Sequence, residues 1–327
     1  MNPWWLDATL GFVGGRRHKG PWREGFRVLA YHGVVERKKD RLLEQNFRLL
    51  GDFRRHLRLL RRYHVISLAE LADELGRATF KHGPIAVITF DDGYTNNLLA
   101  AEVLAEFRLP WSLFIPTGTV GRERFIWTAE LSLLLLAGQS SRIEVLDKTW
   151  SLKERSERES AFQEIRRALK AMPSTPRRDA MEFIRQQFPA GETLRLLDEF
   201  DSLQMLSWQE IGHLRSSGVE IGSHGVDHEI HHNAQPEYVR WRELTESKTV
   251  LEQKLADSCR FFAYPNGDFV ATSAKEVGAA GYELAVTTEP GIVGPDTNPH
   301  LVPRTEPADS LQAFTKQFFW PHWVRPL

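Results

Sequence analysis

The chain of 327 residues has one cysteine, Cys259, which excludes an intrachain disulfide framework and leaves a thiol expected in the core. It has no excess of either charge, 42 Lys and Arg against 43 Asp and Glu, so a nucleic-acid partner is not expected. The basic pairs Arg54-Arg55 and Arg61-Arg62 stand among leucines and read as the solvated face of a helix. A bilayer-spanning run is also missing. The apolar patch within Met1–Gly15 is short, interrupted by Asp7 and begins without basic residues, so it is neither a membrane span nor a good secretory signal. A cytoplasmic location is expected. Trp4 and Trp5 precede the basic run Arg16-Arg17-His18-Lys19, which keeps open a peripheral contact with an anionic membrane surface. A packed or disordered tail is the simpler reading.

What the chain does contain is ample apolar material, 42% of residues, and two stretches of one design. Ile85-Ala86-Val87-Ile88-Thr89-Phe90 reads as a buried strand and ends in Asp91-Asp92-Gly93. Adjacent carboxylates at the end of a buried strand repel each other and resist desolvation, so a cation is expected to offset them. Gly93 permits a sharp turn that lets both side chains approach one point. By itself the triplet is equally consistent with a polar turn. Far downstream, Val219-Glu220-Ile221-Gly222-Ser223 leads into His224-Gly225-Val226-Asp227-His228, again an apolar strand with a polar end. An aspartate with two histidines makes a three-ligand set that leaves metal positions open for water and substrate.

At this point the chain resembles the polysaccharide deacetylases with a NodB homology domain, carbohydrate esterase family 4. Thr89-Phe90-Asp91-Asp92-Gly93 matches the first motif and Ser223-His224-Gly225-Val226-Asp227-His228 the second. Phe262-Ala263-Tyr264-Pro265-Asn266-Gly267 looks like the third, and Val302-Pro303-Arg304 like a late strand motif. The resemblance implies that Asp91 is the general base and that Asp92, His224 and His228 hold a divalent metal. Zinc is the expected ion, with iron, cobalt or nickel as alternatives. It further implies an oxyanion-stabilising backbone N–H at Asn266. Tyr31-His32 resembles a pair found near the start of members with permuted motif order, which makes His32 the first candidate for general acid. His300 is the second candidate. Two departures stand out: Ala263 occupies the place of an arginine that pairs with the base, a role Arg304 can fill, and Glu229 follows His228 where many members have proline.

Taken in order, strands are expected at Arg27–Val34, His64–Leu68, the Asp91 run, Trp111–Pro116, the His224 run, Arg260–Tyr264, Leu284–Thr288 and Leu301-Val302. Helices are expected over Leu42–Tyr63, Leu68–Leu75 with Ser67 as cap, Asn97–Phe107, a stretch opened by Ser207 and Glu210, and about Pro236–Leu255. The rhythm implies parallel pairing and, with the resemblance, an α/β fold: a deformed (β/α)7 TIM-like barrel. The domain reading is an N-terminal tail at 1–25 and a barrel domain at 26–327 with a helical insertion at about 129–206, serving as a lid or a spacer. His231 and His232 read as loop histidines in water, with auxiliary metal ligands as the alternative. Trp127 and Trp320 are candidates for stacking on sugar rings.

The functional expectation is a metal-dependent hydrolase that removes N-acetyl, or a similar acyl such as formyl, from an amino sugar of a cell-surface glycan or its lipid-linked precursor. The alternatives are a catalytically inactive carbohydrate-binding protein on the same fold and a phosphohydrolase. Such phosphohydrolases usually place their aspartates one residue apart, and no glycine-rich phosphate loop accompanies this pair. The sequence leaves the oligomeric state open.

Overall fold

Among the described residues twelve strands are formed: β1 (Gly25–Tyr31), β2 (Gly33–Val35), β3 (Phe47–Leu49), β4 (His64–Ile66), β5 (Pro84–Phe90), β6 (Ser112–Ile115), β7 (Arg142–Val145), β8 (Lys148–Ser151), β9 (Glu220–Ser223), β10 (Phe261–Ala263), β11 (Leu284–Val286) and β12 (Arg304–Thr305). They belong to a computed structural model that describes residues 25–75, 84–121 and 123–319. The expected N-terminal tail with its membrane contact and Trp320 lie outside those residues, apart from Gly25, which begins β1.

Seven strands run parallel in the order β11-β10-β9-β6-β5-β1-β12, and β4 pairs with β5 beside them. The ring is nearly closed by Val302, which lies just before β12 and bridges Val286 of β11, with Val302 N–H on Ala285 O and Thr287 N–H on Val302 O, both 2.9 Å. One edge of β5 is fully used by β1, from Gly25↔Pro84 to Tyr31↔Phe90. The other edge is shared, β4 taking Ile85 to Val87 and β6 taking Thr89 and Phe90, so β4 is a wedge at the lower end.

Side chains alternate along a strand, and two cores follow from that parity. Phe26, Val28, Ile85, Val87, Phe114, Phe261, Leu284, Val286 and Val302 fill the barrel interior. Their neighbours Leu29, Tyr31, Ile88, Phe90, Leu113 and Ile115 face outward onto surrounding helices, among them Leu50–Leu60 and Asn97–Phe107. Helix Leu68–Leu75 helps close the bottom, with the capping box of Ser67 and Glu70 in place. Cys259 is buried, as expected.

Between β6 and β9 the chain builds a separate core. Helix Trp127–Ala137 is buried on nearly every side and is packed by helices Arg155–Lys170, Ser174–Arg185 and Glu192–Glu199. Val35, Phe47, Tyr94 and Ile230, from loops and short strands beyond the barrel strand ends, join the same core. The region therefore sits over the C-terminal ends of the barrel strands.

The structure corrects several local expectations. The helix expected from Leu42 begins at Leu50, because Phe47–Leu49 is drawn into parallel pairing with β2 and Phe47 packs edge-on against Tyr94. Strands β7 and β8 form an antiparallel hairpin in a stretch read as helical. Alternation was present there, and Leu146 and Asp147 both take positive φ, the geometry of a two-residue hairpin turn. Trp127 is not an exposed platform: it is 9% exposed and lies beneath the Arg177 guanidinium.

Candidate active site

Inner parity brings the functional side chains together. Along β5 the inward series Ile85, Val87 and Thr89 continues to Asp91. Along β1 the series Phe26 and Val28 continues to His32; after β9, Gly222 against Phe114 is followed by His224; and after Val302 comes Arg304. Asp91, His32 and His224 stand at the C-terminal ends of parallel strands, where loops leave room for ligands, whereas Arg304 begins β12 lower down, level with Val28 of β1. Asp92 has the opposite parity and is turned back by φ values of 75° at both Asp92 and Gly93. His228 also has a positive φ, 55°. Left-handed backbone at two non-glycine residues is strain concentrated where the polar atoms converge.

Arg304 is fully buried and donates to both oxygens of Asp91, at 2.7 and 2.6 Å, and to Thr89 Oγ1 and Thr287 O. Burial pushes the Asp91 carboxyl up, but Arg304, His224 and His32 outweigh it and hold its pKa below the usual range. The guanidinium thus keeps Asp91 ionised in the barrel interior.

Asp92, His224 and His228 are all buried, and one ligand atom from each lies within 4.8 Å of the others. His224 Nδ1 meets Ala263 O at 2.7 Å, which leaves Nε2 directed at Asp92 Oδ1, 3.5 Å away. His228 Nε2 is 3.4 Å from the same oxygen. Oδ1 accepts no hydrogen bond, although it is buried. Two ligand atoms at about 2.0–2.1 Å from one tetrahedral ion stand roughly 3.3 Å apart, so these separations fit a shared cation. Despite burial, the two imidazoles and His32 hold the Asp92 carboxyl well below its usual range. For His224 burial is outweighed by Asp91 and Asp92, which raise its pKa, whereas burial wins at His228 and lowers it.

The remaining expected residues separate. His32 follows β1, with Nδ1 buried and its charge felt at both aspartates, and its backbone oxygen accepts from Asn97 Nδ2 at 2.8 Å. Asn266 lies in a single-turn 3-10 segment, Pro265–Gly267, with φ 60°. Its carboxamide is clamped between Lys170 and Asp268. His300 lies elsewhere. The Val286↔Val302 register puts it level with the start of β11, at the opposite end of the strands, and its ring bonds Tyr282 O at 3.0 Å. His231 is no loop histidine in water: it is fully buried against Phe262 and Tyr264, and burial pulls its pKa down to about 3. Its neighbour His232 is partly buried and bonds Met172 O.

Three contributors escaped the sequence reading. Tyr94 is buried beside Asp92, and burial with that negative charge pushes its phenol well up. Lys170, at the end of an inserted helix, reaches the third-motif turn and lies within electrostatic range of Asp92 and His228. Burial and Arg166 lower its ammonium pKa against the pull of Asp268 and Asp92. A lysine closing a charge-rich helix carries no signal that it points inward. Glu243 accepts the backbone N–H groups of Val226, Asp227 and Glu229 at 2.9, 3.1 and 3.2 Å. It did have a signal, since an acid in the spacing Val239, Glu243, Ser247, Leu251 falls on the buried face of its helix.

Comparison with known proteins agrees with this geometry. The polysaccharide deacetylase family model matches residues 80–285, more than half of the chain. YxkH of Bacillus subtilis (strain 168), a protein assigned to the polysaccharide deacetylases, is 26% identical over 111 residues, 33% of this chain. That match spans only 39% of the relative's length. Among solved structures, the Streptococcus pyogenes deacetylase PplD in complex with acetate superposes with a TM-score of 0.60 at 16% identity, covering 92% of this chain and 100% of that one. IcaB from Ammonifex degensii gives 0.58 at 18% identity, covering 91% and 97%. These structural likenesses show the shared fold, and the family model matched over more than half of its length makes the chain a member of the polysaccharide deacetylase family.

Proposed function

We propose that the protein is a metal-dependent hydrolase that removes N-acetyl, or a closely similar N-acyl group, from an amino sugar of a cell-envelope polysaccharide or its lipid-linked precursor. The observation that carries this reading is a buried carboxylate kept ionised by Arg304, immediately beside a second carboxylate and two histidines that fit one cation. Asp92, His224 and His228 would hold a divalent ion, zinc first, whose chemistry is to polarise the acyl carbonyl and make water more acidic. Asp91 takes the water's proton, and Arg304 keeps it in the basic form until that moment. The backbone N–H of Asn266, presented by a left-handed turn, stabilises the oxyanion. His32 returns a proton to the departing amine. These roles for Asn266 and His32 rest on their placement at the strand ends.

Acetate release from a panel of N-acetylated glycans, with zinc restored after chelation, tests the reading. Release that depends on the ion is the expected result. Asp91→Asn is expected to keep zinc binding and lose turnover by about 100-fold or more. Stoichiometric zinc binding without any release from the panel would instead favour a carbohydrate-binding protein on this fold.

A further inference from the structure

The loop that carries His228 is held from two sides. On the barrel side, Glu243 of helix Glu237–Leu255 gathers its backbone N–H groups. On the other side lies the elbow between the inserted helices Arg155–Lys170 and Ser174–Arg185. Arg177 Nη2 donates to Glu229 Oε1 at 2.5 Å, and Gln235 Nε2 donates to Glu229 Oε2 at 2.9 Å. Ser174 N–H reaches Gln235 Oε1 at 2.9 Å, and the His232 ring meets Met172 O at 3.1 Å. The ion pair is almost wholly enclosed, with side chains 3% and 1% exposed, and the guanidinium lies 4.6 Å over the Trp127 ring.

We propose that the Arg177–Glu229 pair is a positioning device through which the inserted region holds His228 in its ligating conformation. The proposal rests on the reading of Asp92, His224 and His228 as a cation site, and extends that site to residues outside the barrel motifs. Glu229 follows His228 directly, and His228 has a φ of 55° that an unrestrained histidine leaves readily. Relaxing that angle would swing the Glu229 carboxylate away from a buried guanidinium, leaving two enclosed charges unpaired. The ion pair therefore opposes the motion that would withdraw the imidazole. It also accounts for glutamate at 229, where a proline ring has no group to offer Arg177 or Gln235.

The competing account is that the pair merely docks the insertion while Glu243 alone holds the loop. Zinc titration calorimetry on the full chain, paired with melting of the chelated protein, separates the two. The decisive variant is the double substitution Arg177→Met with Glu229→Gln, which removes the tether without changing net charge. Arg177→Met alone leaves a carboxylate whose negative charge itself favours cations, which obscures the result. The double variant should lose zinc affinity by about 10- to 100-fold, the scale for groups that orient metal ligands. Arg177→Lys keeps the charge but loses the planar guanidinium that lies over Trp127 and reaches Glu229, and should fall between the double variant and wild type. It also serves as the test if the double variant does not fold. Wild-type affinity in a folded double variant, or in Arg177→Lys where only that variant folds, overturns the proposal even if melting falls. Absence of zinc binding in the wild-type protein overturns the cation-site reading and this inference with it, an outcome distinct from tight wild-type binding left unchanged by the variants.

Discussion

Strand β9 carries a polar group at each end, and the two are treated in opposite ways. At its start Glu220 accepts the N–H groups of Leu68 and Ala69 at 2.9 and 3.0 Å and the Ser112 hydroxyl at 2.7 Å, so a helix, a neighbouring strand and a carboxylate satisfy one another. Just past its other end, His224 faces an Asp92 oxygen that accepts no hydrogen bond, and both Asp92 and His228 have left-handed backbone. Buried polar groups are nearly always paired, so the lower end is a structural joint and the upper end is arranged for something bound. The lesson is that one β-strand supports a stable closure and a strained site with about 13 Å between them, at roughly 3.3 Å per residue.

Substitutions at the upper end should remove function and spare the fold. His224→Ala or His228→Ala is expected to abolish stoichiometric zinc binding, read by calorimetry, while the chelated protein melts within a few degrees of wild type. A large loss of melting temperature would mean that these histidines also serve as a structural joint. Arg304→Met crosses the divide, because it leaves Asp91 buried and unpaired at the upper end of the interior. A cost of about 3–5 kcal/mol in denaturant unfolding is expected, the range for breaking a buried ion pair by one partner. The Asp91 pKa should rise as well, since burial would then act without the opposing guanidinium.

At the lower end the expectation reverses. Glu220→Gln weakens charge-assisted bonds and should cost about 2 kcal/mol of stability with zinc affinity unchanged. The smallest effect, counted per group, comes from mild acid and compares buried histidines rather than strand ends. His56 and His231 have pKa values lowered by burial to about 4 and about 3. The unfolded chain binds protons that the fold refuses, so their contribution is complete above about pH 6.5 and declines as pH falls toward the folded values. Each should cost about 1 kcal/mol between pH 7 and 5.5, and His231→Phe should remove its share of that slope in urea titrations.

The barrel and the centre of its site were readable because they rest on local patterns. Apolar runs marked most strands, and alternation along them decides that Asp91, His32 and Arg304 share one face. Capping patterns likewise marked Ser67 and Ser207, whose capping boxes are formed. Failures arose where a distant element changed the meaning of a local pattern. Phe47 left its helical series to pair with β2, and His231 sits under an aromatic cluster that no spacing announces. His300 has the residue type of a proton donor, yet strand register places it at the wrong end of β11.

Residue order by itself therefore marked the parallel strands, their two polar ends and the common face of Asp91, His32, His224 and Arg304, since side-chain parity is a property of the extended backbone. Tertiary structure decided what surrounds those groups. Lys170 reaches Asn266, Arg177 meets Glu229 and Glu243 collects three N–H groups of the His228 loop because separate elements pack over one another. Burial, charge pairing and pKa depend on that packing, and a chain read in one dimension does not contain the distances that set them.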